Sequence, residues 1–210
     1  MKNSFLIKLF VGFVKLTGVI PALLFFKPRV IRVSKKSKPA YPSIIVSNHK
    51  SLLDFVLYLL IFPFRTIRFL MAEVLYNKSK LFAWFLNSIG GVRVDRDDKN
   101  FGFISESIEI LDKGGILGIF PEGRLPIKGK PFPFTASTAF IATHATAPII
   151  PVYTDGNYGF SKRAGVVIGE AFYLTDYIKE GLSEDEQLKH LTQVLEEKVY
   201  ALKENLTKEK

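Results

Sequence analysis

Two segments of the chain share one pattern, an apolar run that ends in a cluster of polar residues. Residues 43–46 lead into the polar stretch 47–54, and the glycine-rich apolar run 114–120 leads into residues 121–124. Runs of this length and composition predict buried strands, and the polar clusters mark where each strand emerges. Because ligands bind at the carboxyl ends of strands in α/β sheets, these clusters are the candidate functional segments.

The other apolar positions predict strands and helices in alternation. Further strands are predicted at 66–72, 91–95, 148–153 and 165–170, and helices from near residue 51 and at 79–88, 100–113, 137–146 and 183–206. Alternating elements of these lengths indicate an α/β layered sandwich, with a mostly parallel or mixed central sheet flanked by helices.

The N-terminal segment is the most hydrophobic part of the chain. Residues 4–26 are interrupted by Lys8 and Lys15, and Pro21 would kink a helix. The uninterrupted piece is shorter than the roughly 20 apolar residues that cross a hydrocarbon core, which favours a helical segment lying in the membrane interface. A full span with Lys15 buried, a signal peptide and an ordinary core helix are the alternatives. We expect a membrane-associating segment at 1–28 and one α/β domain at 29–210.

Charge narrows the choice of partners. The chain carries a formal charge of +9, and residues 27–38 form a basic stretch. Such a charge favours an acidic membrane surface or nucleic acid. The basic residues adjoin the most apolar segment and lack interleaved aromatic residues, which favours the anionic membrane surface over nucleic acid. A solvated surface strand is the alternative for 27–38. The predicted location is the cell membrane, peripheral or interfacially embedded, facing the cytoplasm.

The inventory of reactive side chains excludes several chemistries. The chain has no Cys and only three His residues, far apart in sequence. Disulfides, thiolate catalysis and thiolate metal sites are therefore excluded, and a metal site built on His is disfavoured. No Ser lies in a Gly-x-Ser-x-Gly turn, which leaves the chain without a nucleophile of its own. We expect neither a metal nor a prosthetic group.

His49 and Asp54 are the candidate catalytic pair. Asp54 follows His49 by five residues, about one turn into the predicted helix, so that a bend would bring its carboxylate to one imidazole nitrogen. A His held by a carboxylate is an oriented general base, because the carboxylate fixes the tautomer and stabilises the imidazolium. Ser51 and Asp54 also fit a capping box, in which Asp54 only satisfies the first turn of the helix.

Four motifs together resemble the glycerolipid acyltransferase family, typified by the 1-acyl-sn-glycerol-3-phosphate acyltransferases. His49 and Asp54 match the family's first motif, a His and an Asp separated by four residues. Residues 90–96 are similar to the second, 120–123 match the third, Phe-Pro-Glu-Gly, and 148–152 are similar to the fourth. The motifs occur in the family's order across residues 44–153, which makes the combination specific.

The resemblance implies acyl transfer without a covalent acyl-enzyme. His49, oriented by Asp54, would deprotonate a hydroxyl of 1-acyl-glycerol 3-phosphate, which attacks the thioester of acyl-CoA or an acyl carrier protein and gives phosphatidic acid. Backbone N–H groups near His49 or Gly123 are the candidate donors to the oxyanion.

The same resemblance implies a substrate-binding set, which comprises Arg96, Glu122, Gly123 and Arg124. Arg96 and Arg124 are expected to hold the acceptor's phosphate, and ion pairs with Asp97 or Asp98 are the alternative for Arg96. Glu122 is expected to hold a glycerol hydroxyl, to lock its turn by accepting backbone N–H bonds, or both.

Two departures from the family leave the acceptor open. Gly123 runs directly into Arg124, where the family often has an intervening Thr, and Thr135 stands where many members have Lys. The missing Lys removes one candidate headgroup contact, which keeps a different lysophospholipid or lipid acceptor as an alternative. A non-catalytic membrane-surface binding protein is the second alternative.

Overall fold

One mixed sheet forms the centre of the molecule. The computed structural model describes residues 17–35, 37–95 and 101–208. Within those ranges there are seven strands: β1 Arg29–Arg32, β2 Ser43–Ser47, β3 Ile67–Ala72, β4 Val92–Val94, β5 Ile116–Ile119, β6 Ile149–Thr154 and β7 Gly165–Ile168. Their order across the sheet is β1-β7-β6-β2-β5-β3-β4.

The strand directions bring the predicted polar clusters to one edge. β2 lies parallel to both β5 and β6, and β3 lies parallel to β5 and β4. β7 is antiparallel to β6, and β1 is parallel to β7, so these two strands run opposite to the other five. The predicted α/β fold with a mixed sheet is confirmed, and the ends of β2 and β5 are neighbours.

Helices cover both faces of this sheet. Residues 17–26 are helical and are called α1. The other helices are α2 Asp54–Ile61, α3 Glu73–Tyr76, α4 Lys80–Ser88, α5 Gly102–Asp112, α6 Ala136–His144, α7 Glu184–Ala201 and α8 Lys203–Lys208, with a 3₁₀ turn at Leu174–Tyr177. A capping box stabilises the start of α7, with Ser183 and Glu186 bonded to each other's backbone.

The sheet separates two apolar cores. All five residues of β2 are buried; Ile45 packs with α2 and α4 on one face, while Ile44 and Val46 pack with α5, α6 and α7 on the other. Side chains of a strand alternate between faces, and burial on both faces requires an uninterrupted apolar run. Burial on both faces explains why Ile44, Ile45 and Val46 follow one another without a polar residue between them.

The N-terminal segment is described only in part. In α1, Phe26 is buried in the core, whereas Ile20 and Leu24 are 66% and 56% exposed. Residues 1–16 of the predicted membrane-associating segment lie outside the described residues. In the part of the chain that the structure describes, no helix has the length and apolar character needed to cross a membrane. The basic stretch at 27–38 includes the edge strand β1.

Candidate active site

The turn between β2 and α2 wraps around one carboxylate. Asp54 is the first residue of α2 and is fully buried. Its Oδ2 accepts the backbone N–H groups of Lys50 at 2.7 Å and Ser51 at 2.9 Å. The prediction that Asp54 lies one turn inside the helix is wrong, because residues 50–53 form a turn around its carboxylate before the helix begins.

The same carboxylate oxygen holds His49. Nδ1 of His49 lies 2.7 Å from Asp54 Oδ2, and the imidazole stacks on Phe120 with ring centroids 4.4 Å apart and planes 15° apart. Because a carboxylate only accepts hydrogen bonds, Nδ1 carries the proton and the unprotonated Nε2 is the basic atom. Nε2 has no hydrogen-bond partner within the described ranges.

The capping-box alternative does not describe this turn. The residue before α2 is Leu53, and no side chain caps its first turn. Ser51 Oγ accepts the N–H of Leu53 at 3.2 Å, so it stabilises the turn itself. Asp54 therefore bonds to backbone N–H groups that precede the helix, and also directly to His49.

Tyr158 provides a further hydrogen bond to Asp54, and the sequence did not predict this contact. Its hydroxyl donates to Asp54 Oδ1 at 2.5 Å and lies 3.1 Å from Thr154 Oγ1. Burial raises the pKa of the Tyr158 hydroxyl, and the charge of Asp54 raises it further. The hydroxyl stays protonated and donating. No local pattern marks Tyr158, which lies 104 residues beyond Asp54.

Asn48 fixes the start of the turn to the neighbouring strand. Its Nδ2 donates to the carbonyl of Thr154 at 2.9 Å, and its Oδ1 accepts the N–H of Thr154 at 2.8 Å. The side chain is fully buried, so both of its polar atoms need such partners. Asn48 thus ties the end of β2 to the end of β6.

Glu122 links the end of β5 to His49. Its Oε1 accepts the backbone N–H of His49 at 3.1 Å and the hydroxyl of Tyr200 at 2.9 Å. Its Oε2 is buried and, within the described chain, has no partner. Burial raises the pKa of the Glu122 carboxyl, and the bonds from His49 and Tyr200 oppose this effect. Glu122 thus accepts a backbone N–H bond that locks the turn, which is one of its predicted roles.

Two of the candidate oxyanion donors already have acceptors. The N–H of His49 donates to Glu122, and the N–H of Gly123 donates to the carbonyl of Phe120 at 2.9 Å. The expectation that backbone N–H groups near these two residues stabilise an oxyanion stays a prediction. Gly123 has φ +64°, a left-handed conformation that favours glycine, so its role here is to form the turn.

A groove of about 600 Å³ runs from His49 across the end of the sheet. Its inner wall is largely apolar and includes Phe55, Phe69, Phe82 and Phe120. Gly118 shapes this wall, because a Cβ there would lie 2.4 Å from the ring of Phe69. The size and apolar lining suit a fatty acyl chain.

Arg124 supplies a positive charge at this groove. Its side chain is exposed, lines the groove and lies over the ring of Phe132, 4.7 Å from the centroid. A guanidinium so placed suits the binding of an anionic group. Arg96 lies outside the described residues, so its predicted role remains untested.

A smaller cavity of about 200 Å³ lies beside Glu122 and Arg124. Thr135, Ser137 and Thr138 also line it, and the hydroxyls of Thr135 and Ser137 are 3.1 Å apart. Hydroxyl groups therefore occupy the region where the family commonly has a Lys.

An imidazole oriented by a carboxylate, beside an apolar groove and an arginine at the carboxyl edge of an α/β sheet, is an arrangement typical of an enzyme active site. Comparison with known proteins identifies the family. Residues 30–155 match the family model described as Acyltransferase, more than half of the chain, and the protein belongs to that family.

Curated relatives and a solved structure agree with this assignment. The chain is 27% identical over 196 residues to a 1-acyl-sn-glycerol-3-phosphate acyltransferase of Bacillus subtilis, a match that covers 90% of this chain and 96% of the relative. It is 28% identical over 134 residues to the mouse 1-acyl-sn-glycerol-3-phosphate acyltransferase alpha, covering 63% of this chain and 47% of the relative. The chain thus spans about half the length of that mammalian relative.

The structural match covers most of the fold. The crystal structure of the 1-acyl-sn-glycerophosphate acyltransferase PlsC from Thermotoga maritima has a TM-score of 0.61 and 25% sequence identity. The match covers 85% of this chain and 73% of that one.

Proposed function

We propose that this acyltransferase moves a fatty acyl group from acyl-CoA or an acylated carrier protein to the free hydroxyl of 1-acyl-sn-glycerol 3-phosphate, giving phosphatidic acid. The observation that carries the proposal is the 2.7 Å bond between His49 Nδ1 and Asp54 Oδ2, which leaves Nε2 as the base beside the groove. The names of the relatives support the choice of acceptor.

The reaction proceeds by direct attack of the acceptor. His49 Nε2 takes the hydroxyl proton, and the oxygen attacks the thioester carbonyl. Collapse of the tetrahedral intermediate breaks the carbon–sulfur bond, and the thiolate takes the proton from His49. A buried carboxylate beside Nδ1 stabilises the imidazolium between these steps. The thioester is the only co-substrate, and the step uses no metal or prosthetic group.

The neighbouring serines support transfer without an acyl-enzyme. The Ser47 hydroxyl is buried and hydrogen-bonded with Tyr58. Ser51 Oγ accepts a backbone N–H in the turn. Neither hydroxyl bonds to the base, so the acceptor's own hydroxyl is the nucleophile that His49 activates.

The remaining residues position the acceptor. Arg124 binds its phosphate, with Arg96 as a proposed second contact. Glu122 Oε2 accepts a hydrogen bond from a glycerol hydroxyl, which satisfies an otherwise unpartnered buried oxygen. The groove holds the acyl chain. The enzyme works at the anionic inner surface of the cell membrane, where it is peripheral or embedded in the interface. The exposed apolar residues of α1 and the net positive charge support this location.

A different lysophospholipid is the second candidate acceptor. The hydroxyls of Thr135 and Ser137 stand in the small cavity where a Lys would favour a compact phosphate. A larger or zwitterionic headgroup would use hydrogen bonds there instead of an ion pair.

The test is acyl transfer from a labelled acyl thioester by the protein in lipid vesicles. The acceptors are 1-acyl-glycerol 3-phosphate, its phosphocholine analogue and glycerol 3-phosphate. We expect labelled phosphatidic acid, absent with His49→Ala although that variant still binds the vesicles. Transfer only to another acceptor would contradict the proposed substrate, and vesicle binding without transfer to any acceptor would favour a non-catalytic binding protein.

A further inference from the structure

The rim of the groove carries an exposed apolar surface on α3 and α4. Val74 is 65% exposed, Leu81 is 75% exposed, and Trp84 is 38% exposed. Leu81 and Trp84 are three residues apart and share one face of α4. We call these three residues the α3–α4 surface. Large apolar side chains grouped in this way indicate a binding surface.

This surface lies at the same edge of the sheet as His49. α3 begins directly after the carboxyl end of β3, and only β5 separates β3 from β2. Val74 and Lys78 line the groove that contains His49. Across the groove, Leu52 also lines its wall and is 48% exposed. The mouth of the groove is therefore flanked by apolar side chains.

The N-terminal helix reaches the same edge from the other side. β1 runs opposite to β2, so α1, which precedes β1, ends at the edge where β2 ends. Phe26 of α1 packs on the ring of Tyr158, with centroids 5.0 Å apart. The exposed side chains of Ile20 and Leu24 lie on this helix. Two apolar surfaces thus lie at the edge of the sheet that carries His49 and Asp54.

Lys residues flank the α3–α4 surface. Lys78 lies between the two helices, Lys80 is the first residue of α4, and both are exposed. Glu73 is the only acidic residue in the sequence 73–88, and its carboxylate forms an ion pair with Arg93. Exposed apolar residues flanked by Lys match the interface of a membrane with anionic lipids, whose surface attracts each nearby Lys.

We propose that the α3–α4 surface inserts into the headgroup region of an anionic membrane, so that the groove opens directly onto the lipid layer. The proposed function explains why such a contact is useful, because both the acceptor and the product are lipids. The support for the contact itself is the exposure of the apolar side chains, the neighbouring Lys residues and the position of the surface beside the groove.

Trp84 provides a direct probe, since it is the only Trp in the chain. We expect its emission to shift to shorter wavelength when the full-length protein binds phosphatidylglycerol–phosphatidylcholine vesicles. We also expect lipids with brominated acyl chains to quench it. Protein that binds the vesicles while the Trp84 emission stays unshifted and unquenched would overturn the proposal. An emission shift that depends on protein concentration in the absence of lipid would instead indicate that this surface binds a second copy of the protein.

A charged substitution tests the contribution of the surface to binding and activity. Asp near the start of a helix is favourable, so Leu81→Asp is expected to fold. We expect it to lose most of the quenching and to transfer acyl groups to vesicle-borne acceptor about tenfold more slowly, because burial of one Leu side chain is lost. Its rate with detergent-dispersed acceptor should be unchanged. Equal rates on vesicles for Leu81→Asp and the wild type would contradict the proposal.

Phe64→Asp is the matched control. Phe64 is 94% exposed but precedes β3, at the opposite edge of the sheet, so its change should leave quenching and activity at the wild-type level. A loss of quenching equal to that of Leu81→Asp would contradict the assigned surface. Quenching of Trp84 in a protein that transfers to no acceptor would uphold the membrane contact and reject the proposed function.

Discussion

The ends of β2 and β5 lie side by side, yet their polar groups are bonded very differently. The strands are parallel and in register at Val46 and Ile119. At the end of β2, Asn48 and both oxygens of Asp54 have partners within the protein. At the end of β5, one oxygen of Glu122 is buried without a partner in the described chain.

The difference separates the proposed base, which is preorganised, from the turn that we propose binds the acceptor. His49 is held by its bond to Asp54 and by the ring of Phe120, so little reorganisation is needed before proton transfer. Glu122 and Arg124 retain bonding capacity that a ligand can satisfy. Changes at the β2 end should therefore lower the rate of the chemical step, and changes at the β5 end should mainly affect acceptor binding.

The largest effect is expected at Asp54. Asp54→Asn should lower kcat by at least about 100-fold, because Nδ1 loses the carboxylate that fixes its tautomer and stabilises the imidazolium. Steady-state acyl transfer measures this loss, with circular dichroism to confirm the fold. The matched control is Asp155→Asn, which changes a carboxylate that, among the described residues, accepts the N–H groups of Asn157 and of Gly165 at the start of β7. A similar loss in both variants would attribute the effect to folding.

Arg124→Ala should mainly weaken acceptor binding. Loss of a charge-assisted hydrogen bond, about 1.5–3 kcal/mol, corresponds to a fall of roughly 10- to 150-fold in kcat/KM for 1-acyl-glycerol 3-phosphate. The effect should appear mainly as a higher KM, and kcat/KM for a neutral monoacylglycerol should change little. An equal loss for both acceptors would exclude phosphate binding by Arg124.

Tyr158→Phe should have a smaller effect at the β2 end. The substitution removes the donor to Asp54 Oδ1, which leaves a buried acceptor less satisfied. We expect about 1–3 kcal/mol lower stability, measured by urea unfolding, with Nδ1 still bonded to Oδ2. A loss of kcat as large as that of Asp54→Asn would show that Tyr158, rather than Asp54 alone, holds the base.

The smallest effect is a pH-dependent change in stability at Glu122. Burial raises the pKa of this carboxyl, so the folded protein retains its proton above the ordinary value of 4.5. Its ionisation therefore lowers the free energy of unfolding as the pH rises from about 4.5. Glu122→Gln has no carboxyl to ionise at this position. The free energy of unfolding of the variant, relative to that of the wild type, should therefore increase as the pH rises over that range. A difference that is independent of pH would contradict the raised pKa.

The sequence predicted the features that local patterns encode. His49 and Asp54 lie five residues apart, and a short turn is enough to bring them together. The alternation of strands and helices predicted the mixed α/β sheet, but not the strand order or the reversal of β7, since these depend on packing between distant segments. The start of α2 was placed too early, because the carboxylate of Asp54 organises the turn in place of a capping side chain.

Contacts between distant segments were not predictable from pattern alone. Tyr158 and Tyr200 reach Asp54 and Glu122 across 104 and 78 residues, and neither lies in a recognisable motif. For the same reason the sequence could not show which candidate oxyanion donors already have acceptors. Only the folded structure shows that the N–H of His49 is taken by Glu122.

Chemical rescue of His49→Ala tests the proposed base most directly. Acyl transfer to 1-acyl-glycerol 3-phosphate in vesicles is measured for this variant with and without added imidazole. We predict a loss of at least about 100-fold and partial recovery that rises with the concentration of neutral imidazole, since the groove beside Asp54 remains open to a small base. Transfer within tenfold of the wild-type rate, without imidazole, would contradict the assignment of His49 as the base.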